Sequence, residues 1–207
     1  MRSRTAILNF LADRYKYGRF LEIGVKSGVN QRKVRCSYKV GVDIDAKTSP
    51  TYCMCSGDFF RANTQTFDLI FIDGDHTEEA VREDLTHALG TLEEGGTIVM
   101  HDCSPDCEWV QRPKAEFRGL KGERWCGTAW RAYCWYRMTR LDLAMCVVDV
   151  DEGVGIIQRG RQILFHPGTV DFEYRHLEMY RVPWLNLLQP DELKAWLDER
   201  DEGRVRA

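Results

Sequence analysis

Phe67-Asp68-Leu69-Ile70-Phe71-Ile72-Asp73-Gly74-Asp75-His76 is the stretch that decides the fold. Its first residues form a near-continuous apolar run ending in an acid, the pattern of a strand buried on both faces of a parallel sheet. Beyond it, Ala80, Val81, Leu85, Ala88, Leu89 and Leu92 recur at helical spacing, with Asp75 or Thr77 as cap and Gly95-Gly96 as the expected stop. Thr97-Ile98-Val99-Met100 is the next apolar strand, ending at His101-Asp102. Toward the N-terminus lie a short strand at 52–55 and a longer one, Tyr38-Lys39-Val40-Gly41-Val42-Asp43-Ile44-Asp45. Phe20-Leu21-Glu22-Ile23-Gly24, a glycine turn to Gly28, and a leading helix carrying Ile7, Phe10, Leu11 and Tyr15 complete that half. Strands and helices alternate throughout, which predicts a doubly wound α/β sheet with ligands outside the carboxyl ends of its strands. Glu22, Gly24, Asp43, Asp73, His101 and Asp102 all fall at such ends.

The last third changes rhythm. Strands at 143–150 and 154–158 are separated only by Asp151-Glu152-Gly153, a hairpin connection, so the sheet is expected to finish antiparallel. Pro190 with Leu193, Trp196 and Leu197 predicts a terminal helix before a charged tail that runs to residue 207.

The 207 residues carry 29 Lys+Arg against 32 Asp+Glu, a formal charge of -3, with 43% hydrophobic residues. That balance fits one globular domain over residues 1–207 and argues against a whole-surface nucleic-acid binder. The longest apolar runs fall well short of the roughly 18 residues a spanning helix needs. Met1-Arg2-Ser3-Arg4, followed by Asn9 and Asp13, has no secretory apolar core, so a cytoplasmic location and eight reduced cysteines are expected.

In Glu22-Ile23-Gly24-Val25-Lys26-Ser27-Gly28 the glycines stand four apart, so the dinucleotide fingerprint is absent. Two readings remain: a tight strand-to-helix connection, or a turn open to a ligand, with Asp43 at the next strand end able to accept from ribose hydroxyls.

This ordered set, with Gly57-Asp58 added, resembles the class I S-adenosylmethionine-dependent methyltransferases. Ile72-Asp73-Gly74-Asp75-His76, a helix, Gly95-Gly96 and His101-Asp102 are similar more narrowly to the macrocin and mycinamicin sugar O-methyltransferases and the cephalosporin hydroxylase-like proteins. The resemblance spans about residues 18 to 160 and implies a Rossmann-like methyltransferase fold with a mostly parallel seven-stranded sheet ending in an antiparallel hairpin. It implies S-adenosylmethionine held by Glu22, Gly24, Val25, Gly28, Asp43, Asp58 and Asp73, with Asp43 on the ribose and Asp58 beside the adenine. It further implies a divalent metal, magnesium or manganese, on Asp73, His101 and Asp102, with His76 as the base. A histidine at 101 departs from the usual acidic pair and opens the choice of metal to manganese, iron or zinc. Each residue has a plainer alternative: a helix N-cap for Asp58, a strand-end acid for Asp73, a core histidine for His101. A structural zinc site using Cys103 and Cys107 is a further alternative, although the spacings do not match paired knuckles.

Residues 103–140 read as an insertion covering the substrate. They hold Trp109, Trp125, Trp130 and Trp135 and the basic residues Arg112, Lys114, Arg118, Lys121, Arg124, Arg131, Arg137 and Arg140. Aromatic and guanidinium groups there suit a sugar or an anionic acceptor. Trp130, Tyr133 and Cys134, at helical spacing, equally suit the docking of a helix on the sheet. Residues 161–207 read as a C-terminal helical extension that packs on the core or forms a homo-oligomer contact. The expected activity is transfer of a methyl group to a hydroxyl of a small molecule or glycan. The alternatives are a metal-independent methyltransferase acting on another acceptor such as nucleic acid, and a non-catalytic S-adenosylmethionine-binding module.

Overall fold

The computed structural model describes residues 1–118, 123–168 and 171–205. Eight strands form one mixed sheet: β1 Arg19–Ile23, β2 Tyr38–Asp43, β3 Tyr52–Cys53, β4 Phe67–Ile72, β5 Leu92–Met100, β6 Leu143–Val148, β7 Val154–Arg159 and β8 Leu187–Leu188. Their spatial order is β3-β2-β1-β4-β5-β7-β6-β8. β1 to β5 pair in parallel, while β7 runs antiparallel between β5 and β6. The expected count of seven strands is corrected to eight. The sheet also does not end in its hairpin, because β8 pairs in parallel with β6 and forms the edge. A two-residue strand carries too little pattern to be read from sequence.

The two faces of the sheet have separate cores. Along β4, Phe67, Ile70 and Ile72 face one core, and Leu69 and Phe71 face the other. The first core is covered by α3 Ser56–Ala62, α4 Glu78–Thr91, α5 Ala129–Thr139 and α6 Tyr174–Leu185. Trp130, Tyr133 and Cys134 are wholly buried there, so they dock α5 on the sheet. The second core receives α1 Arg4–Tyr15 and α7 Leu193–Val205, through Ile7, Leu8 and Leu11 and through Leu193 and Leu197. Between α1 and β2 lies the short α2 Val29–Lys33.

Local chemistry sets the ends of these elements. Ser3 caps α1, its hydroxyl accepting from the Ala6 amide, and Lys16 ends that helix in the left-handed region. Cys55, not Asp58, is the N-cap of α3, with Asp58 in its first turn. Helix α4 stops at Thr91, before the expected Gly95-Gly96 stop. The glycine pair lies inside β5, beside the irregular pairing of Phe67 and Leu69, and a Cβ at Gly96 would lie 2.8 Å from the Asp68 carbonyl oxygen. Close approach of backbone, rather than helix termination, is what Gly96 serves, while Gly95 supplies a left-handed φ of +77°.

Candidate active site

The carboxyl ends of β1, β4 and β5 and the β6–β7 turn meet on one rim, and α1 leans over it. A cavity of about 540 Å³ opens there, lined among others by Arg4, Glu22, Gly24, Asn30, Asp73 and Asp151. Gly24 has φ +86°, and a Cβ on it would lie 2.2 Å from the Asp73 carbonyl oxygen. The turn and the Asp73 backbone therefore touch, a contact only glycine permits.

Glu22 is almost completely buried. Its Oε1 accepts from Asn30 Nδ2 at 2.9 Å, and Asn30 Oδ1 accepts from the Thr5 hydroxyl at 2.6 Å. Oε2 finds no partner among the described residues. Burial raises the carboxyl to about 7 despite the Asn30 hydrogen bond.

Asp43 secures the turn from the next strand. Its Oδ2 accepts from the Val25 and Lys26 amides, both at 2.9 Å, and Oδ1 accepts from the Asp45 amide. Gly28 caps α2 at φ +67°. Asp58 is exposed and paired with Arg61, and it does not line the cavity.

Asp73 links the cavity to a second group of side chains. Asp102 Oδ2 lies 2.9 Å from His76 Nδ1, and Asp73 Oδ1 lies 3.5 Å from His76 Nε2. The close Nδ1 contact is too poorly aligned to count as a hydrogen bond, and that nitrogen finds no other partner among the described residues. Asp102 itself is buried at φ +58°, a left-handed conformation that a non-glycine residue adopts at some cost. Burial opposes the imidazolium of His76, yet Asp102 and Asp73 outweigh it and raise the ring to about 9. Pairing with His101 and then His76 holds Asp73 and Asp102 below the ordinary carboxylate range against their own burial.

Among the described residues, Asp73, His76 and Asp102 form the group whose potential ligand atoms all lie within 4.8 Å of one another. Two carboxylates and an imidazole are a fitting donor set for manganese or zinc, and for magnesium completed by water oxygens. The orphaned Nδ1 is consistent with such a role. No cysteine belongs to this group: Cys103 is fully buried and Cys107 exposed.

His101, expected as the third ligand, faces a different neighbour. Its Nδ1 lies 3.4 Å from Asp73 Oδ1 and 3.1 Å from Asp102 Oδ1, and its Nε2 lies 3.6 Å from Asp151 Oδ1. Arg4 Nη1 lies 2.5 Å from His101 Nε2, 2.9 Å from His101 Nδ1 and 3.7 Å from Asp73 Oδ2. The carboxylates favour imidazolium and raise the His101 pKa despite burial. The guanidinium opposes them, since it needs a ring lone pair to donate to.

The insertion closes over this layer. The Trp125 ring stacks on His76 at 5.0 Å and 2°, with Phe117 stacked on Trp125 at 5.4 Å. Trp125 Nε1 donates to the Arg112 carbonyl at 2.8 Å, and the Thr128 amide donates to the His76 carbonyl at 2.7 Å. Gly127 fits against His76 only because it lacks a side chain: a Cβ would lie 2.3 Å from the His76 carbonyl oxygen. The basic residues of the segment are largely engaged. Arg112 pairs with Glu123, Lys114 with Asp75, and Arg124 with Asp106 and Glu152, while Arg137 reaches the Trp184 carbonyl. Lys121 lies outside the described residues. Sequence reasoning missed Arg4, Asn30 and Asp151 as site residues, and it gave Trp125 no specific place.

An acid-tipped parallel sheet, a glycine turn against the neighbouring strand and an inserted β7 define the methyltransferase type of α/β fold. Residues 37–103, about a third of the chain, match the model of a family described as a methyltransferase domain. They run from β2 through β5 and carry Asp43, Asp58, Asp73, His76, His101 and Asp102. Among solved structures, the chain is similar to the S-adenosylhomocysteine-bound methyltransferase PaMTH1 of Podospora anserina, at 20% identity over 77% of this chain and 80% of that one, with a TM-score of 0.57. It is also similar to TomG of Streptomyces achromogenes, an O-methyltransferase involved in tomaymycin synthesis, in complex with S-adenosylmethionine, at 16% identity over 75% and 79% with a TM-score of 0.53. A putative caffeoyl-CoA O-methyltransferase from Staphylococcus aureus is 13% identical over 77% and 85%, with a TM-score of 0.59. These likenesses establish the fold. Compared with the curated proteins, the chain has no match. No helix among the described residues is long and apolar enough to cross a membrane.

Proposed function

We propose that the protein is an S-adenosylmethionine-dependent O-methyltransferase, assisted by a divalent ion, that methylates a hydroxyl of a small molecule or glycan. The observation that carries this reading is the double membership of Asp73. It lines the glycine-turn cavity, and it contributes to the Asp73–His76–Asp102 donor group. A cofactor in the cavity and an acceptor at the donor group would therefore meet across one side chain, the proximity that in-line transfer requires.

Within the cavity, Glu22 presents its unpartnered Oε2 to the cationic end of the cofactor, while Gly24 and Val25 supply backbone. Asp43 holds the turn and keeps one lone pair, on Oδ1, for the ribose. Asp58, paired with Arg61 outside the cavity, serves the adenine only if that pair opens. Asp73, His76 and Asp102 would hold the ion in place of the expected Asp73, His101 and Asp102 set, and the chemistry it would supply there is a lowered pKa for the acceptor hydroxyl. With Nδ1 left without a hydrogen bond and Nε2 3.5 Å from Asp73, His76 offers a ring lone pair to the ion rather than serving as the expected base. Transfer would form the oxygen–carbon bond as the carbon–sulfur bond breaks, release S-adenosylhomocysteine and pass the hydroxyl proton to water at the cavity mouth. Trp125 excludes water from one side of His76 and fixes its plane.

The pairing of Arg112, Lys114, Arg124 and Arg140 of the insertion with acids of the protein favours a neutral hydroxylated acceptor over an anionic one or a nucleic acid. The test is calorimetric titration of S-adenosylhomocysteine into chelator-stripped protein, alone and with magnesium or manganese. Micromolar binding followed by labelled methyl transfer to a panel of sugars and phenols is expected. Folded protein that binds no S-adenosylhomocysteine under any condition refutes the reading.

A further inference from the structure

The carboxylates of the rim are shared between two histidines. Asp102 turns Oδ2 to His76 and Oδ1 to His101, and Asp73 Oδ1 lies within 3.5 Å of both rings. Asp151 extends the layer on the His101 side. Ligand atoms converge tightly on the His76 side. On the His101 side, the space between Asp73, His101 and Asp151 is taken by the Arg4 guanidinium, 3.7 Å from Asp73 Oδ2 and 3.7 Å from Asp151 Oδ2.

That guanidinium is anchored. The Arg4 amide donates to Asp151 Oδ2 at 3.0 Å, Ser3 caps the helix, and Ile7, Leu8 and Leu11 are wholly buried one to two turns later. An arginine stays charged at any working pH, unlike lysine or histidine. Asp73 and Asp151 both face this fixed positive charge. Buried charge is tolerated when it is paired in this way.

We propose that Arg4 is a positioning residue that fills the second cation position of this layer and so confines the site to a single divalent ion on Asp73, His76 and Asp102. The inference rests on the metal-assisted reading above. Its consequence is specific: removing the guanidinium leaves Asp73, His101 and Asp151 as an uncompensated acceptor set for a second ion.

The experiment is equilibrium binding of manganese to the full chain, with free ion counted by electron paramagnetic resonance and folding checked by circular dichroism. The wild type is expected to bind one manganese ion per chain and Arg4→Lys one. Arg4→Ala is expected to bind two, and so is Arg4→Gln, which keeps the bulk should the alanine variant fold poorly. Arg4→Ala combined with Asp151→Asn should return to one. If folded Arg4→Ala and Arg4→Gln bind one ion with affinity within threefold of wild type, the role assigned to Arg4 is wrong while the metal reading stands. Two ions on the wild type overturn that role in the same way. A wild type that binds none, yet still binds S-adenosylhomocysteine, removes the metal reading and this inference with it.

Discussion

Replacing Glu22 with glutamine separates the cost of a buried charge from every other pH effect in the protein. The carboxyl is raised by burial from its ordinary 4.5 to about 7. A raised folded-state pKa means that the folded chain binds the proton more tightly than the unfolded one. Stability from this group is therefore complete below pH 4.5 and lost as pH rises through 7. At about 1.36 kcal/mol per tenfold change in acidity, the full loss is about 3 kcal/mol. Glu22→Gln imitates the protonated acid and keeps the acceptor that Asn30 uses. The variant should exceed wild type by about 1 kcal/mol at pH 5 and by about 3 kcal/mol at pH 8.5, where the wild-type acid is ionised. Urea denaturation of both proteins across that range measures the difference, and the other titrating groups cancel. A difference that does not grow with pH would show that Glu22 ionises as freely in the folded chain as in the unfolded one. The stabler variant should also bind S-adenosylhomocysteine at least tenfold more weakly at pH 8, since the unpartnered oxygen is what it loses.

Other outcomes follow from the same geometry. Asp102→Asn should lower methyl transfer at least about a hundredfold while leaving S-adenosylhomocysteine affinity within about threefold, because Asp102 touches the donor group and not the cavity. Gly24→Ala should destabilise the fold by about 3 kcal/mol or more, combining left-handed strain with a clash against the Asp73 backbone, and a thermal melt reads it. Trp125→Ala should reduce turnover about tenfold with little change in cofactor binding, and Trp125→Phe should recover most of it by restoring a stacked ring. In metal-free protein, His76 contributes stability that is complete below pH 6.5 and lost as pH rises through about 9, worth up to about 3 kcal/mol. His76→Asn should flatten that slope in denaturation measurements.

The strand ends are legible in the sequence because parallel strands buried on both faces give unbroken apolar runs, so an acid at the end of one stands out. Asp73 and His101-Asp102 are visible in this way, as is the glycine turn. Arg4 and Asp151 are not, because they reach the rim from 97 and 50 residues away from His101 in sequence, and only the sheet order brings them together. The place of His76 in the proposed donor group is hidden for a related reason. Gly127 and Thr128 pack against the His76 backbone, a contact of the insertion that no local pattern announces. The arginines of the insertion mislead in the other direction. Their abundance suggests a site for an anionic acceptor, but Asp75, Asp106, Glu123 and Glu152 pair with Lys114, Arg124 and Arg112 of the segment.

Helix α1 is held at its far end by Arg14, whose guanidinium pairs with Asp198 and Asp201 on α7. On a ribosome, residue 14 leaves the exit tunnel nearly the whole chain before residue 201 does. Until α7 arrives, the face of the sheet that α1 covers is only half roofed, and the turn carrying Arg4 lacks its final support. The rim at which the chemistry is proposed would thus be among the last parts of the molecule to mature. A nascent chain stalled short of α7 should show a formed parallel sheet with a loosely held Arg4, so the cell would meet the folded scaffold before it met a working site.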